Sequence, residues 1–155
     1  MCAQAVNGAT VYITSRKLDA CEATAAELND IAAGAGKVVG FASDLSAEEG
    51  CQAAADFVAE REGKLHILVN NAGATWGGYF DEYPDSAWSR VMDLNVRGVF
   101  NLTQKCAKML EEAGVHGDPA RVINIASVAT LSPAKEDGPV AAWAYAASKA
   151  AVSHM

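Results

Sequence analysis

No stretch of this chain approaches the ~20 continuous apolar residues that a membrane-spanning helix requires, so no membrane partner is expected. Positive charge is scarce as well. Twelve lysines and arginines stand against nineteen aspartates and glutamates, a formal net charge of −7, and the basic residues form neither a stripe nor a cluster. Binding to nucleic acid or another polyanion is therefore not expected. The four cysteines, at positions 2, 21, 51 and 106, include no Cys-x-x-Cys, and no histidine stands at metal-ligand spacing. Neither a metal centre nor a disulfide framework follows from such a set, and the thiols read as buried and reduced. Met1 to Asn7 carry neither a basic start nor a long apolar stretch, which predicts a cytoplasmic protein. What remains is globular composition: 155 residues, 51% hydrophobic and 20% charged, enough for one domain with one core over residues 1–155.

Along the chain, short β-branched runs alternate with helical periodicity. Val11 to Thr14 reads as a strand, followed by a helix with Leu18, Cys21, Ala25 and Leu28 on one face. Gly34-Ala35-Gly36 ends that helix, and Lys37 to Ala42 forms the next strand. Ser46-Ala47-Glu48-Glu49 reads as a capping box opening a helix that closes near Gly63. Leu65 to Val69 is apolar enough to predict a central strand buried on both faces, running into Asn70-Asn71-Ala72-Gly73 and a loop rich in glycine and aromatics. Pro84 starts a long helix carrying Trp88, Val91, Leu94, Val99, Leu102 and Leu110. Arg121 to Ser127 is the next strand, Val128 to Ala142 a loop, and a last helix begins near Tyr145. Strands and helices alternating at this spacing predict an α/β fold, a parallel sheet covered on both sides.

Chemistry concentrates near the end of the chain. Tyr145 and Lys149, four apart on a helix, project from one face about 6 Å apart along the axis. A cation ~4 Å from a phenol in a partly buried site stabilises the phenolate by roughly 4 kcal/mol, which makes the phenol a usable proton donor and acceptor. Ser127 closes an apolar run upstream of that tyrosine. Taken singly, each residue has an ordinary explanation: a solvated helix face, a turn serine, a surface asparagine. Their order along the chain argues for more.

Asp44-Leu45 after a strand, Asn70-Asn71-Ala72-Gly73 after the next, Asn95 within the long helix, Ser127 at a strand end and the Tyr145/Lys149 pair together resemble the short-chain dehydrogenase/reductase family. Asn71 to Gly77 and Ile125-Ala126-Ser127 further resemble a subgroup that includes rhamnolipid-type 3-oxoacyl reductases. The resemblance implies a Rossmann-like, doubly wound parallel sheet and an oxidoreductase that interconverts a small-molecule carbonyl and its alcohol. In that scheme Ser127 holds the carbonyl oxygen, Tyr145 donates the proton and reduced nicotinamide delivers a hydride to the carbon. Lys149 tunes the phenol and binds the nicotinamide ribose, while Asn95 interrupts its helix to hold a water, for which its side chain offers both donor and acceptor. Asp44 and Leu45 meet the adenine, and Asn71, Ala72 and Gly73 line the cofactor, with Gly73 allowing close backbone approach. After the strand in which an acidic residue would select NAD, this chain has Ser15-Arg16-Lys17, and Arg16 offers a planar fork to a 2′-phosphate. NADP(H) is the expected cofactor. A homodimer or homotetramer built through the long helices is the expected assembly.

One hallmark of that family is missing from the residues at hand. The glycine-rich turn that holds the pyrophosphate is not found, and Gly8 reads as the terminator of the helix that would follow it. The fold is therefore expected to be incomplete, lacking its first strand and its C-terminal part, and the chain is expected to turn over little by itself. The alternative reading is a catalytically inactive fragment or an interaction partner of full-length relatives. A nucleotide-binding module without turnover is a third, disfavoured because it has no need for Asn95, Ser127, Tyr145 and Lys149 together.

Overall fold

The computed structural model describes residues 2–130 and 140–155, which form two compact units, Met1–Asp44 and Leu45–Met155. The first unit runs α1 (Cys2–Val6), β1 (Thr10–Ser15), α2 (Leu18–Ala32), β2 (Lys37–Ala42). β1 and β2 pair in parallel from Thr10↔Lys37 to Ser15↔Ala42. Ala5, Ile13, Ala25, Ala32 and Val38 make the core, with Val11 and Leu28 against it. Alanine on the helices and glycine on the strand bring the two backbones close. A Cβ at Gly40 would lie 2.5 Å from the Cys21 carbonyl oxygen, so this strand position admits only glycine.

The two helix ends differ in how they stop. Gly8, at φ +91°, terminates α1 as the sequence predicts. α2 stops two residues before Gly34, and the left-handed cap falls on Ala33 at φ 50°, whose N–H reaches the Asn29 and Asp30 carbonyls. Asn29, one turn earlier, turns its carboxamide onto β2: Oδ1 accepts the Val38 N–H at 2.7 Å and Nδ2 donates to the Val38 carbonyl at 2.9 Å. Lys37 N–H bonds toward β1, to Ala9, so the Val38 peptide faces the outer edge of the pair. Asn29 takes the place of a further strand there and covers an edge that would otherwise template association.

In the second unit the order is α3 (Glu48–Glu62), β3 (Ile67–Asn70), β4 (Gly78–Tyr79), α4 (Asp85–Met92), a π-helical turn (Asp93–Arg97), α5 (Gly98–Ala113), β5 (Arg121–Asn124), a 3₁₀ turn (Val128–Thr130), β6 (Val140–Ala141) and α6 (Trp143–Ser153). β3 and β5 pair in parallel, Ile67↔Arg121 to Asn70↔Asn124, and β4 and β6 form a short antiparallel pair. α3 packs on α5 around Cys51, which is wholly buried, and Gly98 sits where a Cβ would collide with the Leu45 carbonyl. Lys105 on α5 meets Glu48 on α3 at 2.7 Å.

Three expectations need correcting. α3 starts at Glu48 with Ala47 at its N-cap position, one residue later than the expected Ser46, and Glu48 bonds Lys105 on α5. The strand expected from Leu65 to Val69 is displaced to Ile67–Asn70 and is not buried on both faces. Ile67 and Val69 are 43% and 44% exposed, as β3 pairs only with β5 among the described residues and α5 packs against the opposite face, where Asn70 bonds Thr103. β5 ends at Asn124, three residues short of Ser127, where the chain leaves the ladder and tightens into the 3₁₀ turn. The last helix begins at Trp143, two residues before Tyr145. Of the loop read from Val128 to Ala142, residues 131–139 lie outside the described residues. The long helix from Pro84 is present, with its middle turn widened at Asp93–Arg97.

Candidate active site

Tyr145 and Lys149 lie one turn apart on α6, and the Lys149 ammonium sits 5.7 Å from the centre of the Tyr145 ring. Lys149 is 6% exposed and donates one hydrogen bond, at 2.6 Å, to the Ile125 carbonyl just past β5. An ammonium carries three donors, so a buried cation is left with capacity for further acceptors. The Tyr145 hydroxyl makes no hydrogen bond among the described residues, and it is half-buried. Ser127 stands at the entry to the 3₁₀ turn, which packs against α6; its Oγ accepts the Ala129 N–H at 3.2 Å. That bond uses a lone pair and leaves the Ser127 O–H proton uncommitted among the described residues. Two hydroxyl donors and a partly satisfied ammonium thus stand on segments that meet at the end of β5. Such a set can hold a carbonyl oxygen and exchange a proton with it.

Asn95 occupies the middle of the π-helical turn and is 1% exposed. Its Oδ1 accepts the Ala74 N–H at 2.8 Å, and its Nδ2 donates to the Ala74 carbonyl at 2.9 Å and to Ser148 Oγ at 2.9 Å. Both amide hydrogens are therefore committed inside the protein. The carboxamide thus clamps the loop after β3 to α6. The widened turn is what places it there. π-helical turns shift a helix by one residue in register and recur at functional sites.

The residues expected to contact cofactor fall in both units. In the second, Asn71, Ala72 and Gly73 are exposed in the loop after β3, and Leu45 is buried with its carbonyl facing Cys51. Gly73 has an unremarkable φ, and an added Cβ would come no closer to protein than 3.5 Å, from Asn95 Oδ1, and 3.9 Å, from Lys149 Nζ. Neither backbone geometry nor packing within this chain demands glycine at 73. A Cβ there would make ordinary van der Waals contact with Asn95 and the Lys149 ammonium, and its absence leaves the exposed backbone approachable by a ligand. In the first unit Ser15 ends β1; its Oγ accepts the Lys17 N–H at 3.2 Å and lies 3.1 Å from Cys21 Sγ. Arg16 and Lys17 are exposed, and the Arg16 guanidinium has no hydrogen bond or ion pair among the described residues. Asp44 is exposed at the end of that unit. Within the second unit, an ammonium with donors to spare beside an exposed backbone fits ribose hydroxyls; within the first, an exposed guanidinium without a partner among the described residues fits an anionic group.

Residues 2–155 match the family model described as short chain dehydrogenase. The chain belongs to that family. It is 40% identical over 148 residues to the rhamnolipids biosynthesis 3-oxoacyl-[acyl-carrier-protein] reductase of Pseudomonas aeruginosa, covering 96% of this chain and 55% of the relative. It is 32% identical over 151 residues to the 7alpha-hydroxysteroid dehydrogenase of Escherichia coli, covering 97% and 54%. Among solved structures, the Pseudomonas aeruginosa RhlG/NADP active-site complex superposes with a TM-score of 0.88 at 40% identity, over 98% of this chain and 57% of that one. The NADH-dependent reductase A1-R′ complexed with NAD superposes at 0.78 with 32% identity, over 94% and 59%. The chain spans about half the length of the curated relatives it matches. The Rossmann-like α/β fold with parallel strands is thereby established, as is membership of a family of oxidoreductases.

Three residues that organise the site went unread in the sequence. Ala74 and Ile125 contribute only peptide groups, which leave no side-chain signature. Ser148 did leave one: a serine inside a helix, flanked by two site residues, is poorly placed for solvent and well placed for a buried bond.

Proposed function

We propose that the protein is an NADP(H)-dependent oxidoreductase that interconverts a carbonyl and an alcohol by hydride transfer, with Tyr145 as general acid and base. The observation that carries this reading is the pairing of Tyr145, whose hydroxyl has no hydrogen-bond partner among the described residues, with the buried ammonium of Lys149, which bonds once among them. Ser127 holds the carbonyl oxygen with its uncommitted proton, Tyr145 gives or takes the proton at that oxygen, and Lys149 holds the ribose hydroxyls and keeps positive charge beside the phenol. Asn95 acts by fixing the loop of Asn71, Ala72 and Gly73 against α6. The nicotinamide supplies the hydride. Ser15, Arg16 and Lys17 hold the 2′-phosphate, with Arg16 as the fork, and Asp44 and Leu45 take the adenine. The relatives' names favour a 3-oxoacyl or sterol ketone, and the 40% relative favours the acyl class.

The test follows NADPH oxidation with a 3-oxoacyl thioester and a simple ketone, by the chain alone and by the chain preceded by a glycine-rich strand, turn and helix. Activity is expected with the added segment. Tyr145→Phe is expected to lower kcat by about 10²-fold or more while NADPH still binds; a phenylalanine variant at near-full rate removes Tyr145 from the chemistry. Arg16→Asp is expected to move preference toward NADH, and an unchanged cofactor ratio retires the role given to Arg16.

A second reading is a catalytically silent chain that associates with longer relatives. The apolar face of the β3–β5 pair favours it, with Ile67, Val69, Ile123 and Ile125 each at least 40% exposed. Absence of turnover in both forms, together with co-purification with a full-length relative, supports this second reading over the first.

A further inference from the structure

Ser148 is 0% exposed and lies between the two residues given the chemistry on α6. Its hydroxyl has one donor and two acceptor positions. The donor goes to the Tyr145 carbonyl at 2.7 Å, within its own helix. With the proton turned that way, the lone pairs face outward and accept the second amide hydrogen of Asn95 at 2.9 Å. Asn95 in turn holds both polar groups of the Ala74 peptide, at 2.8 and 2.9 Å. The chain of bonds runs without a gap from the backbone of Tyr145 through Ser148 and Asn95 to the backbone after Gly73, and every side chain in it is buried.

The geometry points to Ser148 as a positioning residue: it sets the register of the Tyr145–Lys149 turn against the Asn71–Ala74 loop. This rests on the proposed function, in which that turn carries the acid and that loop lines the nicotinamide end of the cofactor. Alanine at 148 would keep the helix, and indeed has a higher helix propensity than serine. It would leave one Asn95 N–H buried without an acceptor and free the carboxamide to rotate away from Ala74. The loop would then float relative to Lys149, whose ammonium lies 3.9 Å from the position of a Gly73 Cβ. A tolerance of well under 1 Å separates a productive from an unproductive arrangement in such sites. Threonine retains the hydroxyl and is the conservative variant that should restore the bond.

The experiment has two readouts on the whole chain. Amide hydrogen exchange, resolved by NMR, compares the Ala74 N–H with two internal controls: the Val38 N–H held by Asn29, and the Leu65 N–H held by the Met109 carbonyl. Ser148→Ala is expected to speed exchange at Ala74 by about tenfold or more while both controls stay within about twofold, and Ser148→Thr is expected to return Ala74 toward wild type. NADPH titration by fluorescence then asks whether the register matters to the ligand: the alanine variant is expected to bind about 5–10-fold more weakly and threonine to recover part of the loss. If Ser148→Ala does not fold, Ser148→Cys carries the same comparison, since the thiol keeps the volume and accepts weakly. Equal acceleration at all three amides makes Ser148 a general core residue and overturns the proposal. So does an Ala74 exchange rate that does not move. NADPH affinity unchanged in the alanine variant, with Ala74 exchange accelerated, overturns the functional half alone. Failure of the proposed function looks different: wild type then takes up no NADPH while the exchange pattern still responds to Ser148→Ala, which leaves the clamp standing without a ligand to position.

Discussion

Each unit contains an asparagine whose carboxamide grips both polar groups of one peptide. Asn29 holds Val38 in the first unit and Asn95 holds Ala74 in the second, with distances of 2.7–2.9 Å in both. The difference lies in the remaining amide hydrogen. That of Asn29 goes to no protein group among the described residues, so the side chain does one job there, closing the outer edge of β2. That of Asn95 goes to Ser148, and so the same local device becomes a link between three separate segments. Surroundings decide which: Asn29 is partly exposed on a regular α-helix, whereas Asn95 is 1% exposed and faces inward from a π-helical turn. An amide at the surface can exchange a lost partner for water; one in the interior cannot, and its bonds become structural commitments.

Replacing each asparagine by alanine tests that comparison most severely. Asn95→Ala strands the Ala74 N–H, the Ala74 carbonyl and an acceptor on Ser148 in the interior, and is expected to cost roughly 3 kcal/mol in chemical denaturation. Asn29→Ala lets water reach the Val38 peptide and is expected to cost about 1 kcal/mol, with a greater tendency to associate through the bared edge of β2, read by light scattering. Equal losses would show that burial does not separate the two.

Glycines sharpen the contrast at a smaller scale. Gly40→Ala drives a methyl group against the Cys21 carbonyl and is expected to destabilise by about 2 kcal/mol. Gly73→Ala meets only ordinary contacts, so stability is expected to stay within about 0.5 kcal/mol while NADPH affinity falls. A Gly73→Ala variant that binds NADPH as well as wild type would mean that the bare backbone beside Lys149 serves no ligand. A pH dependence carried by the second unit is confined to alkaline conditions. Burial, and then the neighbouring Cys51, push the Cys106 thiol from its ordinary 9.0 up to about 11. Because the unfolded chain ionises first, this thiol's contribution is fully present below pH 9 and is lost as pH climbs from about 9 toward 11. Thermal melts across that range, with Cys106→Ala flattening the slope, measure it.

Much of the site was legible because the chemistry requires particular side chains in a particular order. Tyr145 and Lys149 share a helix face by periodicity alone, and Asn95 lies within the long helix as expected, whereas Ser127 stands three residues past the end of β5. Less legible were the ends of elements. Ala47 rather than Ser46 stands at the N-cap position of α3, and Glu48 meets Lys105, a residue far away in sequence that local patterning does not reveal. The β4–β6 pair was not foreseen, because two residues on each side leave no periodicity to read.

Local sequence sufficed for whatever depends on neighbours within a turn or a strand: the alternation of helix and strand, the glycine stop at Gly8, the common face of Tyr145 and Lys149. Packing alone decided which bonds the buried polar groups would make. A carboxamide can donate to water, to ligand or to protein, and only the approach of Ala74 and Ser148, twenty-one and fifty-three residues away, committed Asn95 to the protein. The same holds for Gly73, whose open side is a property of what surrounds it and not of the residue. Hydrogen bonding and close packing act over a few ångströms in space, and distance along the chain carries no record of them.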